Sequence, residues 1–249
     1  MRAWIVPTGC TSLDQLRLID RPAPVPGPGD VVVRVRATSL NYRDQAVVAG
    51  QYFGGAVSRD LIPLSDGAGE VIATGAEVTR FQPGARVAGT FFQPGPQPAA
   101  LGSPLDGMLA EQVVLNEDGV VALPDHLSFE QGACLPCAAV TAWHTLFHAG
   151  RPIRAGDTVL VLGTGGVSIA ALQFARAAGA SVIATTSSDE KAARVKALGA
   201  SEVVNYQRTP EWENEVRRLT AGRGVGSPRP GIPMHRSQLA SGLHGHSDA

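Results

Sequence analysis

Apolar and charged residues alternate in short runs along the first half of the chain. The run DVVVRVR at 30–36 has a period of two, which is typical of a β-strand with one solvated face. The same pattern predicts further short strands, at 2–6, 15–19, 69–73, 86–89, 108–115 and 120–123. Loops rich in proline and glycine separate them, and this spacing predicts an antiparallel barrel or a partly open sandwich. Helical periodicity is expected to return only at Ser128.

Strands and helices alternate in the second half. The capping-box sequence SFEQ at 128–131 predicts a helix that runs to residue 149. Short apolar runs predict three strands, the first of them buried on both faces, at 158–162, 181–185 and 202–205. A helix is expected after each strand: 167–178, a helix opened by a capping box at 187–190, and one capped by Thr209 with Pro210 in its first position. This order is typical of a parallel sheet.

Three glycines follow the first of these strands, in the sequence LGTGGVS. Gly163, Gly165 and Gly166 match the start of a G-x-G-x-x-G fingerprint, and Ser168 takes the place of the third glycine. Bare glycine backbone in front of a helix is an anion site. In a β-α-β context the turn, including Val167, is expected to bind a dinucleotide pyrophosphate, and a glycine turn without a nucleotide is the alternative.

Composition narrows the function classes. The chain has 21 basic and 22 acidic residues, which gives no electrostatic case for nucleic acid or an anionic membrane. Three cysteines do not form a disulfide framework, and no leader peptide or membrane-length apolar run is visible. We therefore expect a soluble cytoplasmic protein. Residues 226–249, rich in proline, glycine and histidine and without apolar periodicity, are expected to be a disordered tail.

Several stretches resemble the medium-chain dehydrogenase/reductase superfamily between residue 1 and about residue 225. They are SLNYRD (39–44), SDGAGEVIATG (65–75), LPCAAVTAWHTLF (135–147), VLGTGGVSIAALQFARAAGA (161–180) and VIATTSSDEKAARVKALGA (182–200). The resemblance implies an α/β plus β fold: a GroES-like β-rich domain at 1–127, then a partial Rossmann NAD(P)-binding domain at 128–225 with three parallel strands.

The resemblance also bears on metal and chemistry. Positions that hold catalytic zinc in part of the superfamily fall on Asn41, Ser65 and Cys137, with Asp66 at the neighbouring glutamate position. One thiolate cannot hold zinc, which takes three protein ligands in a catalytic site. The chain therefore looks like the zinc-free branch, which includes the quinone oxidoreductases. This branch implies hydride transfer from NAD(P)H to a conjugated carbonyl such as a quinone or enone, or a related alcohol/carbonyl conversion.

The family's functional positions fall on specific residues here. Asn41, Tyr42 and Asp44 are implied to lie on the nicotinamide side, with Tyr52 nearby, and Tyr42 or Tyr52 is the candidate proton donor. Thr141 matches a small hydroxyl residue that faces the nicotinamide.

Cofactor preference is predicted from charge after the second strand. NAD-specific sites place a carboxylate there, about twenty residues after the glycines. Thr186 takes that position and Ser187 follows it, while Lys191 offers a positive charge and Tyr206 matches a residue that flanks the adenosine. NADP(H) is therefore expected over NAD(H), and no metal is expected.

A complete dinucleotide fold has six strands, of which this chain supplies three. The prolines after residue 225 exclude a central strand, which suggests a truncated reading frame. The open alternative is thus a catalytically inactive fragment that at most binds part of the cofactor. The substrate beyond a small carbonyl compound, and the oligomeric state, are left open by the sequence.

Overall fold

The computed structural model describes residues 1–52 and 54–225. The predicted disorder of 226–249 lies outside these described residues. By its internal contacts the chain divides into two compact units, Met1–Cys137 and a second unit that begins at Ala138.

Antiparallel strands form the first unit, as its alternating pattern predicts. Five of them make one sheet in the order β8-β3-β4-β5-β9, and β1–β2 and β6–β7 are separate antiparallel pairs. The strands are β1 Arg2–Ile5, β2 Arg17–Asp20, β3 Asp30–Ser39, β4 Asp66–Thr74, β5 Arg86–Gly89, β6 Phe92–Gln93, β7 Ala99–Ala100, β8 Gln112–Asn116 and β9 Val120–Ala122. The second predicted strand starts too early, because Leu13–Gln15 forms a 3₁₀ turn capped by Ser12.

Valine side chains from the sheet build the core of the first unit. Val31 and Val33 on β3 are fully buried, whereas Arg34 is exposed. They pack in one cluster with Val71, Val87, Leu101, Met108, Leu115 and Val120. Val32, which lies between Val31 and Val33, is also buried, at 2% exposure, so the solvated face that the alternation predicts begins only at Arg34.

One helix in the first unit is missing from the sequence prediction, which placed no helix before Ser128. Helix α1 spans Tyr42–Val48. The Asp44 carboxylate accepts a hydrogen bond from the Asn41 backbone N–H at 2.8 Å and so closes the start of the helix. Val47 and Val48 are buried against Val6, Cys10 and Leu61. A short helix with two adjacent valines has too few residues to show helical periodicity.

The predicted helix at 128–149 is broken into three parts. They are α2 Phe129–Ala133, a π-helical turn at Leu135–Ala139 and α3 Val140–Phe147. The capping box at Ser128 is confirmed, with hydrogen bonds in both directions between Ser128 and Gln131 at 2.9 and 3.2 Å. Pro136 lies in the π-helical turn, where its missing N–H prevents a continuous α-helix.

Packing of α2 explains why the first unit extends to Cys137. Phe129 and Ala133 lie in one cluster with Ala68, Ala88 and Leu123 from the sheet region. The helix is therefore attached to the β-rich unit.

Three parallel strands in the order β10-β11-β12 form the sheet of the second unit, which confirms the partial Rossmann fold. Its elements are β10 Thr158–Val161, α4 Gly166–Ala177, β11 Ser181–Thr186, α5 Asp189–Ala197, β12 Glu202–Asn205 and α6 Trp212–Leu219. Among the described residues no strand pairs with the outer edge of β10, and only Val161 of this strand is buried. Burial of the first strand on both faces is therefore not observed in this part of the chain.

Two predicted helix caps are wrong. Ser188, not Ser187, caps α5, and its side chain accepts the Lys191 N–H. Glu211 rather than Thr209 precedes α6, because the backbone N–H groups of Arg208 and Thr209 bond to the carbonyl of Asn205 and form a turn instead.

Across residues 1–52 and 54–225, no helix combines the length and the apolar composition that crossing a bilayer requires.

Candidate cofactor and substrate sites

The glycine turn joins β10 to α4 in the second unit. Gly163 has φ of +77°, a left-handed conformation that favours glycine, and its N–H donates to the Thr185 hydroxyl on β11 at 3.0 Å. Gly165 is the N-cap of α4. A Cβ built on Gly163 or Gly165 would meet no atom within 4 Å, so the space above this backbone is open.

Helix α4 supplies hydrogen-bond donors to this open space. The first N–H groups of an α-helix have no partner inside the helix, and the helix dipole makes its N-terminus attractive to anions. In α4 these groups belong to Gly166, Val167 and Ser168. The turn and helix start therefore fit a pyrophosphate, which Gly163, Gly165, Gly166 and Val167 would hold through backbone N–H groups.

Ser168 shows how the fold accommodates the missing third glycine. Its side chain is buried at 6% exposure, and its hydroxyl donates to the Leu162 carbonyl at 2.9 Å. The hydroxyl thus satisfies a carbonyl at the end of β10 where helix and strand come close. Serine at this position is compatible with the dinucleotide turn.

The residues predicted for the adenosine end lie at the carboxyl ends of β11 and β12. Thr186 pairs with Asn205 in the strand register, and the Tyr206 N–H donates to the Thr186 carbonyl at 3.0 Å. Thr186 itself is only 1% exposed, and its hydroxyl bonds with the Ser188 backbone. Strand pairing and backbone hydrogen bonds therefore bring the four predicted positions close together: Thr186, Ser187, Lys191 and Tyr206. The Thr186 side chain is buried, whereas the Lys191 side chain is exposed.

Arg208 is a cation in this corner that the sequence reasoning missed. Its guanidinium forms an ion pair with Asp189 in the first turn of α5. Asp189 also accepts a hydrogen bond from the Asn205 amide at 2.9 Å. The first turn of α5 therefore contains two carboxylates, Asp189 and Glu190, and each forms an ion pair, with Arg208 and with Arg194 respectively. In the sequence, the signal for Arg208 was a basic residue two positions after Tyr206.

Thr141 lies in the first turn of α3, and this helix belongs to the same unit as the glycine turn. Ala142 and Leu146 of α3 pack in one buried cluster with Ala171 and Leu172 of α4. The Thr141 carbonyl accepts the Thr145 hydroxyl at 2.8 Å, and the Thr141 side chain is half-buried. The assignment of Thr141 to the nicotinamide remains a prediction.

In the first unit, a buried polar cluster is formed by Asn41, Asp44, Ser65, Asp66 and Cys137. The Asp44 carboxylate accepts the backbone N–H groups of Asn41 at 2.8 Å and Ser65 at 3.3 Å. The Ser65 hydroxyl donates to Asp66 at 3.3 Å, and the Cys137 N–H donates to Asp66 at 3.2 Å. Ser65 and Asp66 are 0% exposed. The two aspartates therefore connect α1, β4 and the π-helical turn.

Burial shifts the ionisation of this cluster. It raises the pKa of Asp66 to about 6, although the hydrogen bonds from the Cys137 N–H and the Ser65 hydroxyl oppose the shift. Burial also raises the pKa of Asp44, against the opposing effect of the Asn41 N–H and of the neighbouring Arg43 charge. The Cys137 thiol, buried and close to Asp66, has its pKa raised to about 11. Near neutral pH the thiol is therefore protonated, and Asp66 is close to its titration range.

This donor set does not fit a catalytic zinc ion. Zinc prefers thiolate and neutral imidazole ligands, and a catalytic site needs three of its ligands from the protein. Here the corresponding positions offer an amide, a hydroxyl and a single thiol. Within the described residues, no three His, Cys, Asp or Glu side chains are grouped to hold a metal.

The two candidate tyrosines have different surroundings. Tyr42, the first residue of α1, is 67% exposed. Tyr52 is half-buried against the Val6, Val47 and Leu61 cluster. The guanidinium of Arg43, another residue that the sequence reasoning missed, lies 4.9 Å from the centre of the Tyr52 ring. Tyr42 is thus the more accessible phenol and Tyr52 the more firmly held one.

Two protein-family models match this chain, one in each of its two units. A family described as "Alcohol dehydrogenase GroES-like domain" matches residues 27–125, and one described as "Zinc-binding dehydrogenase" matches residues 166–227.

Curated relatives include oxidoreductases. A zinc-type alcohol dehydrogenase-like protein of Schizosaccharomyces pombe is 41% identical over 231 residues, covering 89% of this chain and 66% of its own length. A quinone oxidoreductase of Pseudomonas aeruginosa is 38% identical over 195 residues, covering 78% of this chain and 54% of its own length. The chain thus spans at most about two thirds of these relatives.

Solved structures give the same result. An NAD-dependent alcohol dehydrogenase superposes with a TM-score of 0.83 at 38% identity, covering 90% of this chain and 69% of its own. A mycobacterial protein complexed with NADPH superposes with a TM-score of 0.72 at 30% identity, covering 90% and 65%. The glycine turn and the β-rich unit agree with these matches. The chain therefore belongs to the medium-chain dehydrogenase/reductase superfamily of NAD(P)-binding oxidoreductases.

Proposed function

We propose that this chain acts in an NADP(H)-dependent, zinc-free oxidoreductase that reduces a conjugated carbonyl such as a quinone or an enone. The glycine turn carries the cofactor part of the proposal, since its open backbone and the start of α4 fit a pyrophosphate. When bound, the nicotinamide supplies the hydride, and the protein supplies binding and orientation.

Zinc independence rests on the buried polar cluster. Reduction of a simple ketone places negative charge on one oxygen, which a metal ion can stabilise as a Lewis acid. Reduction of a quinone or enone spreads that charge over a conjugated system, so hydrogen-bond donors suffice. Because the residues at the zinc positions are a poor ligand set, a conjugated acceptor suits this chain better than a simple ketone.

Hydrogen-bond donors in the first unit would donate to the carbonyl oxygen of the substrate. Tyr42 is the exposed candidate and Tyr52 the half-buried one. Each phenol can donate its O–H as negative charge develops on the acceptor. Asn41 and Asp44 would act by fixing the start of α1, because the Asp44 carboxylate holds the Asn41 N–H in front of Tyr42.

Preference for NADP(H) over NAD(H) rests on charge at the end of β11. Lys191 is exposed at the start of α5 and Arg208 neutralises Asp189, so this corner does not repel a 2′-phosphate. One neighbour is solved with NADPH and another is described as NAD-dependent, so the proposed preference rests on charge alone. We further assign the substrate to small carbonyl compounds and the compartment to the cytoplasm.

The direct test is NADPH oxidation by the 249-residue chain with 1,4-benzoquinone as acceptor, followed by absorbance, with EDTA present or with added zinc. Turnover that EDTA leaves unchanged is the expected result. Turnover that requires zinc would overturn zinc independence.

A binding-only protein is the second candidate, because the described part of the nucleotide unit contributes three parallel strands where a complete fold has six. Saturable NADPH binding without oxidation by any conjugated acceptor would favour this alternative and contradict the oxidoreductase proposal for the chain by itself.

A further inference from the structure

Arg43 is a buried arginine whose contacts connect three parts of the first unit. Its side chain is 8% exposed and lies on α1 between Tyr42 and Asp44. Its guanidinium carbon is 4.9 Å from the centre of the Tyr52 ring and 4.8 Å from the centre of the Phe91 ring. Two aromatic rings that come from separate parts of the chain are therefore held against the same cation.

The same guanidinium also binds the chain beyond Phe91. Nη1 donates to the Leu101 carbonyl at 2.9 Å, and Nη2 donates to the Ser103 carbonyl at 3.2 Å. Through these bonds and the Phe91 ring, Arg43 holds both ends of the 91–103 segment, which contains the β6–β7 hairpin. A planar fork of donors is suited to two carbonyls at once, whereas a lysine has a single charged nitrogen.

A contribution to the stability of the fold does not by itself explain why an arginine is buried at position 43. Its Nε is buried and makes no hydrogen bond with any residue in the described part of the chain. An unpaired buried donor costs free energy, and an apolar side chain of similar size would avoid that cost. The nearest carboxylate is Asp44 at 3.6 Å, which is itself engaged with two backbone N–H groups. The geometry therefore favours a positioning role.

We propose that Arg43 is the positioning residue that sets the Tyr52 ring and the 91–103 segment as one wall of the acceptor site. This inference rests on the proposed function, because it assigns the acceptor to the side of the first unit where Tyr42 and Tyr52 lie. It also gives a role to a loop whose sequence contains no recognisable specificity element. Arg43 acts through these neighbours and does not itself need to contact the acceptor.

Arg59 offers a matched control. It binds the next stretch of the same loop, since it donates to the Pro104 carbonyl and to the Asp106 carboxylate, each at 2.8 Å. Its side chain is 50% exposed. Arg59→Met therefore loosens the loop from outside and leaves the contact between Arg43 and Tyr52 intact.

The kinetic test compares Arg43→Met, Arg43→Lys and Arg59→Met in the full chain with 1,4-naphthoquinone and NADPH. Arg43→Met is expected to lower kcat/KM for the quinone about 10- to 100-fold, with KM for NADPH unchanged, because misplaced site groups cost this much. Arg43→Lys, which keeps the charge over the rings but not the fork, should recover part of the loss. Arg59→Met should change kcat/KM by less than about threefold, as expected for an exposed ion pair.

Hydrogen exchange of the 91–103 amides provides a readout that does not need turnover. In the wild type, naphthoquinone should slow exchange in this segment, and in Arg43→Met this protection should be lost. Equal kinetic effects of Arg43→Met and Arg59→Met, or unchanged protection in Arg43→Met, would overturn the positioning role. If the wild type lacks turnover, the proposed function fails, while equal exchange of the 91–103 amides in the ligand-free wild type and ligand-free Arg43→Met would still overturn the positioning role of Arg43. If Arg43→Met does not fold, Arg43→Lys is compared with the wild type by both measurements, and wild-type values in both would overturn the role.

Discussion

The glycine turn and the buried polar cluster are two candidate sites built in opposite ways. In the turn, Gly163 and Gly165 leave open space, and backbone N–H groups are the donors available to a ligand. In the cluster, Ser65 and Asp66 are 0% exposed, and side chains bond to one another and to backbone N–H groups. The first arrangement depends on the absence of side chains, and the second depends on side chains that are present and, apart from the unpaired amide nitrogen of Asn41, hydrogen-bonded within the described residues.

This difference determines how each site responds to change. A side chain added at the turn occupies ligand space and leaves the fold largely intact, since nothing lies within 4 Å of the built Cβ atoms at Gly163 and Gly165. A change in the cluster alters buried hydrogen bonds and the free energy of folding together. Substitutions in the turn should therefore change mainly the affinity for the ligand, and substitutions in the cluster should change mainly the free energy of unfolding.

The largest expected effect is that of Gly165→Asp on cofactor binding. Aspartate is a favourable N-cap residue, so α4 and the melting temperature should be unchanged or stabilised. Its charge and volume occupy the space expected for the pyrophosphate, and the Kd for NADPH should rise about 100-fold, or about 2.7 kcal/mol. Calorimetric titration of both proteins measures the change.

The Gly165→Ser variant separates charge from volume. Serine is also a good N-cap but has no charge, so its effect on Kd should be clearly smaller than that of aspartate. Unaltered NADPH affinity in Gly165→Asp would mean that the phosphates bind elsewhere.

Next in size is the effect on the pH dependence of stability, through Asp66→Asn. Burial raises the pKa of Asp66 from 3.8 to about 6, so its contribution to the free energy of unfolding is present below the unfolded pKa and is lost as pH rises through the folded pKa. Relative to the variant, the wild type should therefore lose about 2 kcal/mol between pH 4 and pH 7. Hydrogen exchange of β4 amides at several pH values measures this difference.

The variant is its own control for the other raised group. Asp44 titrates in both proteins, so its effect is common to the wild type and Asp66→Asn apart from the charge interaction between the two carboxylates. Parallel pH profiles in the two proteins would show that Asp66 is not the titrating group.

The smallest expected effect concerns the 2′-phosphate. Lys191→Ala should raise the Kd for NADPH about threefold to tenfold and leave the Kd for NADH unchanged, because an exposed point charge contributes about 1 kcal/mol or less. Lys196→Ala is the matched control, since Lys196 is also exposed on α5 but bonds to the Ser201 carbonyl at the other end of the helix. Equal losses for NADPH and NADH would remove Lys191 from 2′-phosphate recognition.

The glycine turn was predictable from sequence because its determinants are local. A short apolar run, three glycines and an amphipathic helix within 158–178 define its conformation, and the binding of a pyrophosphate there stays a prediction. The small size of serine explains why Ser168 can replace the third glycine, although its hydrogen bond to the Leu162 carbonyl was not predictable from the sequence. The same holds for the capping box at Ser128, whose partners are three residues apart.

The polar cluster was only partly predictable. The resemblance named Asn41, Ser65, Asp66 and Cys137, but the bond between Cys137 and Asp66 joins residues 71 positions apart. Arg43 was missed for the same reason, since its partners Leu101 and Ser103 are 58 and 60 positions away. Burial and pKa depend on such long-range packing, and no local pattern contains it.

The most direct test of the central claim is a titration of the isotope-labelled chain with NADPH, observed through backbone amide resonances. The account predicts saturable shifts of the Gly163, Gly165, Gly166 and Val167 amides, with smaller shifts at Ser187 and Lys191. Saturable binding that leaves these amides unshifted, or no binding at all, would contradict the assignment of the glycine turn as the cofactor site.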